Sequence, residues 1–176
     1  MEFNREKYKN LLLYIFCGTE PCELGAVKLN KILWYSDVNA YLLYGQSITG
    51  ENYVKRQHGP MSKHSYSVLE EMEASDNIII KDVQYFTYTK KEYTPLVKPD
   101  LSYFTAQEIS LVDQFVNKIC REFTARGISE QSHNRLWELA EFGEEIPYEA
   151  VFSAEMGEID DLDMEWAREH LETVRA

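Results

Sequence analysis

The stretch from Leu24 to Pro60, LGAVKLNKILWYSDVNAYLLYGQSITGENYVKRQHGP, constrains this chain more than any other. Ala26, Leu29, Leu33, Ser36, Ala40 and Leu43 recur at steps of three and four, the period of an α-helix. Ile32, Trp34, Tyr35, Val38, Tyr41 and Leu42 cover most of the remaining faces. A helix apolar on several faces must lie inside a larger fold with other elements packed round it. Its strongly polar side chains are Lys28, Asn30, Lys31, Asp37 and Asn39. Gly45 ends the helix, because glycine tolerates the left-handed conformation found just past helix ends. A turn and a short strand follow, then His58-Gly59-Pro60.

The other elements read in order. Asn4 is placed to cap a first helix, with Phe3 stapled onto Tyr8, and Gly18 and Pro21 stop it. Residues 51–57 are a strand or strand-like connector. Pro60 suits the first turn of a helix, which then runs to Ala74 with Tyr66, Leu69 and Met72 inward. Residues 77–89, NIIIKDVQYFTYT, are rich in β-branched and aromatic residues and predict a strand. The turn is expected at Lys90-Lys91, with a return over Glu92–Val97 that Pro95 confines to an edge. Thr105 and Glu108 form a capping box for a long helix closed at Gly127. A further helix is expected over 129–142, then an extended Ile146-Pro147-Tyr148, an acidic loop and a last helix. With no repeat or linker, the reading is one α+β domain over 1–176. It is mostly helical, built round a buried central helix with a small antiparallel sheet or hairpin. Residues 1–20 supply an N-terminal helix and 160–176 an acidic C-terminal one.

Hydrophobic residues at 44% and aromatics at 13% suit a packed core rather than a disordered chain. No apolar run approaches a membrane span, and no signal-peptide pattern opens the chain, so a cytoplasmic protein is expected. Three cysteines, an odd number, suit reduced thiols. The net charge of −12 is uneven: residues 1–127 hold 15 Lys+Arg against 16 Asp+Glu, residues 128–176 only 3 against 14. That balance argues against nucleic acid and for either a solvated face or a basic protein partner.

Several constellations invite chemistry, and each has a plainer reading. Cys17 and Cys22 lack the second pair that a zinc site needs, so they read as incidental thiols. His58 and His64 bracket Gly59-Pro60 without any nucleophile or metal-binding pattern, which favours a turn and a helix start. His133 and Trp137, four apart, read as a contact pair holding their helix to the domain. Lys28 and Lys31 share a helix face; they could meet an anionic ligand, but a solvated strip is the default. The carboxylates of 155–163 do not have calcium-loop spacing. Tyr85-Phe86-Thr87-Tyr88 offers aromatics on both strand faces, one for the core and one for the core or a partner.

In this order and spacing the segments resemble the Panacea-domain (SocA-like) antitoxin family. Lys28-Leu29-Asn30-Lys31-Ile32-Leu33-Trp34-Tyr35 is similar to its lysine-leucine helix. Tyr44-Gly45 and Ile48–Tyr53 are similar to its turn and strand, and Gly59-Pro60-Met61 to its Gly-Pro step, with methionine in place of a smaller residue. Phe104-Thr105 with Glu108, Ser132-His133 with Trp137, and Ile146-Pro147-Tyr148 complete a resemblance over about 27–152. The family-motif residues are thus Lys28, Leu29, Lys31, Tyr35, Gly45, Gly59, Pro60, His133 and Trp137. The resemblance implies a non-enzymatic antitoxin, often carried by phage or other mobile elements, that neutralises a protein toxin encoded by an adjacent gene. The alternative it offers is an adaptor that delivers the toxin, or another partner, to a protease. No cofactor, metal, nucleic acid or membrane is expected. The candidate partner-binding residues are Tyr53, Arg56, His58, Pro60, Tyr85, Tyr88, Glu158, Asp160 and Asp161.

Overall fold

A computed structural model describes residues 1–148 apart from Phe86 and Asn134. The acidic C-terminal helix expected at 160–176 lies outside the described residues, and so does the loop before it. Among the described residues, six α-helices and two small antiparallel sheets make an α+β, mostly helical fold. Helix α1 spans Arg5–Cys17; the Asn4 side chain accepts from Lys7 N, and Phe3 packs edge-on against Tyr8 at 5.5 Å.

Helix α2, Gly25–Tyr44, is the centre of the fold. Leu29, Ile32, Leu33, Trp34, Val38 and Ala40 are all buried, and α4, α5, β2 and β4 pack against it. Gly45 takes φ 74 just past its end, where an added Cβ would meet nothing within 4 Å. The burial stripe stops a turn early, because Leu43 is 63% exposed. No described helix is long and apolar enough to cross a membrane.

After α2 the chain departs from the expected order. Gly59–Ser62 is strand β2, paired with β1 (Tyr53–Arg56), and α3 begins only at Ser65 and ends at Ala74. Pro60 therefore sits in a strand rather than opening a helix. β2 is the outer strand of the order β2-β1-β5, the position where a missing N–H is tolerated. The α3 stripe runs through Ser65, Val68, Leu69 and Met72, which leaves Tyr66 66% exposed instead of inward. Strand β3 (Ile78–Tyr85) pairs with β4 (Tyr88–Pro95), and Tyr85 opposes Tyr88. The chain reverses between those two tyrosines, so Lys90 and Lys91 lie in β4 and not in the turn.

Helix α4, Ala106–Glu122, carries both halves of the Thr105–Glu108 capping box. It ends before Gly127, because Phe123 is extended and Thr124 caps a new helix, α5, over Ala125–Gln131. The single helix expected over 129–142 is instead the end of α5 and a short α6, Arg135–Leu139. Strand β5, Glu145–Ile146, adds to β1.

Candidate functional site

A buried polar network fixes the segment that joins α2 to the β1–β2 hairpin. Asp37, fully buried, accepts from Ile48 N at 2.8 Å, Thr49 N at 3.2 Å, Thr49 Oγ1 at 3.1 Å and the Tyr53 hydroxyl at 2.8 Å. Burial pushes its carboxyl up to about 6, against the pull of those donors. Glu51, also fully buried, takes the Ser62 hydroxyl on Oε2 at 2.8 Å and faces His64 Nδ1 with Oε1 at 2.8 Å. The Ser62 proton points at Glu51, so the Tyr8 hydroxyl, 2.7 Å from Ser62 Oγ, is the donor in that contact. Tyr148 closes the network by donating to the Glu51 carbonyl at 2.5 Å. Unsatisfied buried polar groups are costly, so a fully paired network of this kind holds one backbone arrangement.

The two lysines of α2 are buried, not a solvated strip. Lys28, 9% exposed, donates to the Cys120 carbonyl at 3.0 Å in the last turn of α4, where cations are favoured. Lys31, 1% exposed, donates to the Pro60 carbonyl at 3.0 Å in β2. Burial lowers its ammonium to about 7. Gly59 makes room for this contact: it takes φ +95, and a Cβ there would lie 2.3 Å from Lys31 Nζ and 2.2 Å from Ser132 Oγ.

Above this base, two adjoining cavities share Ala26, Val27, Gln57 and His58 in their walls. The first, about 400 Å³, is walled by Val27, Pro60, Met61, Tyr66 and Phe142, with Lys31 and Arg56 as its cations. The second, about 790 Å³, lies between the start of α2, β4 and α5, and is flanked by Tyr88, Lys90, Lys91, Arg126 and His133. Glu130 is the one carboxylate lining either cavity among the described residues. Among the described residues the lining of this groove holds more cations than carboxylates, although Lys90, Lys91 and Arg126 pair with Glu92, Asp82 and Glu130. Its rim also carries exposed aromatics: Tyr66, Tyr88 (52%) and Phe142 (69%).

The groove unites some of the residues singled out in the sequence and leaves others aside. Arg56, His58, Pro60 and Tyr88 line it, with Lys31, Gly59 and His133 from the family motif. Tyr53 lies outside the groove; it is 1% exposed, and its hydroxyl is bonded to Asp37. Leu29 is core, and Tyr35 stacks on Phe115 at 5.8 Å. The His133 and Trp137 rings stack at 3.8 Å although the two residues lie in different segments, and the Trp137 indole donates to the Arg56 carbonyl at 3.1 Å. That pair holds α6 against the hairpin, as its plainer reading has it. Burial, then the nearby Lys31 and His58, hold the His133 imidazole below its ordinary value. The Tyr85 side chain, Glu158, Asp160 and Asp161 lie outside what is described. Val27, Met61, Phe142, Lys90, Lys91 and Arg126 carried no local signal, because four separate elements and a turn bring them together. Among the described residues no group of three His, Cys, Asp or Glu side chains is placed to hold a metal ion.

Comparison with curated proteins and with solved structures returns no match. A family model does match: residues 29–138 fit that of the SocA-like antitoxins, Panacea domain. The matched span holds α2 from Leu29 onward, both strands of the hairpin, Lys31, Gly59, His133 and most of the groove. It covers well over half of the chain, and the protein therefore belongs to the SocA-like antitoxin family, as a Panacea-domain member.

Proposed function

We propose that this protein is the antitoxin of a toxin–antitoxin pair and neutralises a protein toxin by binding it directly in the groove beside the Gln57–His58 turn. The family match motivates the partner class. The observation that carries the binding surface is the groove itself, where three exposed aromatics rim cavities that, among the described residues, hold several cations and a single carboxylate. Exposed aromatic and arginine side chains round a concavity are typical anchors of protein–protein contacts. Below them the paired network of Asp37 and Glu51 keeps the hairpin in place, so the surface is preorganised and little ordering is needed on binding. Masking of this kind needs no catalytic residue.

The test is co-expression with the protein encoded by the adjacent gene, read by growth and by isolation of a complex. Growth rescue with a stable complex supports direct neutralisation. Rescue accompanied by a short toxin half-life, and lost in protease-deficient cells, points to the adaptor reading instead. A neighbour that is toxic but neither bound nor neutralised contradicts both.

A further inference from the structure

The geometry points to a carboxylate-recognition pocket at Lys31, in which the toxin's docking segment places an Asp or Glu side chain against Lys31 and an adjacent apolar side chain between Val27, Met61, Tyr66 and Phe142. The assignment rests on the antitoxin reading for the source of the ligand, and on this molecule for its chemistry.

Lys31 lines the first cavity and is nevertheless 1% exposed. An ammonium has three protons to donate. The Pro60 carbonyl is the one acceptor it meets among the described residues, and no carboxylate there pairs with it. A buried ammonium without a counter-charge is unfavourable, and the lowered value of about 7 reflects burial alone. A carboxylate arriving from outside would supply the missing charge. Asn30 lines the same cavity; its amide accepts from Ser62 N and gives one of its two N–H groups to the Ala26 carbonyl.

The cavity walls select for the same ligand. None of the described lining residues is acidic, although the chain holds 30 Asp+Glu. Arg56 brings a second cation to the mouth, its guanidinium 5.1 Å over the Phe142 ring. A volume of about 400 Å³ exceeds what a carboxylate fills, and the rest of the wall is apolar, so an aliphatic or aromatic neighbour completes the fit. The cavity adjoins the second one, but there Lys90, Lys91 and Arg126 already pair with Glu92, Asp82 and Glu130, so the contact with a carboxylate ligand is confined to Lys31 and Arg56.

The first experiment uses the full chain with ¹³C-labelled methionine methyls. The probes are 3-phenylpropionate, its uncharged analogue 3-phenylpropanol, and inorganic phosphate. The expected result is a saturable shift of the Met61 methyl with phenylpropionate, at least about 10-fold tighter than with phenylpropanol, as a charge-assisted contact provides. Lys31→Met abolishes that discrimination while the buried Met72 methyl reports an intact core. No saturable shift, equal binding of the alcohol, or an equal response to phosphate overturns the assignment. So does phenylpropionate binding that strengthens sharply when the carboxylates of 155–163 are neutralised, which would make this chain's own acidic segment the occupant.

The second arm separates the pocket from the antitoxin reading. Arg56→Glu and Tyr66→Ala, both at exposed positions, should weaken toxin binding by about 10-fold or more, and an acid-to-lysine change in the toxin should restore binding to the Arg56→Glu chain. Neutralisation unchanged by either variant overturns the pocket and leaves the antitoxin reading standing. A pocket that binds phenylpropionate in a chain that neutralises no toxin overturns the antitoxin reading alone.

Discussion

Lys31 Nζ donates to the Pro60 carbonyl oxygen at 3.0 Å, across 29 positions of sequence, and so ties the first half of α2 to the outer strand of the β1–β2 hairpin. The contact is possible because Gly59 has no side chain where the ammonium lies. It places a buried cation under the groove without a carboxylate among the described residues to neutralise it.

That arrangement has a pH signature. The folded chain holds Lys31 at about 7, whereas the unfolded chain titrates it near its ordinary 10.5. Between these values the unfolded state binds the extra proton, so the contribution of Lys31 to stability rises with pH and is lost as pH falls through 7. Urea titrations from pH 7 to 10 should show wild type gaining on Lys31→Met by up to about 1.4 kcal/mol per pH unit. Parallel curves for the two proteins would contradict the burial of Lys31.

Gly59→Ala should destabilise far more than Gly45→Ala. Both positions have positive φ, which costs a side-chain-bearing residue about 1–2 kcal/mol. At Gly45 nothing else is met, so the loss should stay in that range. At Gly59 the new methyl collides with Lys31 Nζ and Ser132 Oγ, and the loss should reach about 3 kcal/mol or more. Thermal unfolding checks both, at about 2–4 °C per kcal/mol for a chain of this size.

Asp37→Asn should cost about 1–3 kcal/mol at pH 7, because an amide offers one oxygen where the carboxylate uses two to meet four donors. The pH dependence has the opposite sign to that of Lys31. The raised value of about 6 makes the folded state bind its proton more tightly than the unfolded one, so the contribution of Asp37 is present below about 4 and declines as pH rises through 6. The margin of wild type over Asp37→Asn should therefore shrink over that window in denaturant titrations.

Groove and acidic segment should separate kinetically. Exposed charges steer encounter, whereas desolvated contacts set residence time. Neutralising Glu155, Glu158, Asp160, Asp161 and Asp163 should lower the association rate with a basic toxin, and the effect should fade as salt is raised. Tyr66→Ala, which removes an uncharged anchor, should instead mainly raise the dissociation rate. Surface-immobilised toxin binding measured at two ionic strengths distinguishes the two effects.

What the sequence revealed was chiefly local. The α2 period, the Asn4 cap, the Thr105–Glu108 box and the Gly45 stop each depend on residues within a turn or two, and all are present. The β2 strand was missed because GPMS has no alternation, and its partner Tyr53–Arg56 is what makes it a strand. The break between α4 and α5 hinges on Phe123 turning extended, with Thr124 serving as a cap where a helix interior was expected. The burial of Lys31 was illegible for the same reason: lysine normally lies at the surface, and its acceptor comes from a distant strand. The groove itself exists only once α2, the hairpin, α3, β4 and α5 are assembled.

The most direct test of the central claim is co-expression of the full chain with the protein of the adjacent gene, scored for growth and for a co-purifying complex. The account predicts that the neighbour alone arrests growth, that the wild-type chain restores it through a stable complex, and that Arg56→Glu fails to do so while remaining folded. A toxic neighbour that the wild-type chain neither binds nor neutralises would contradict it.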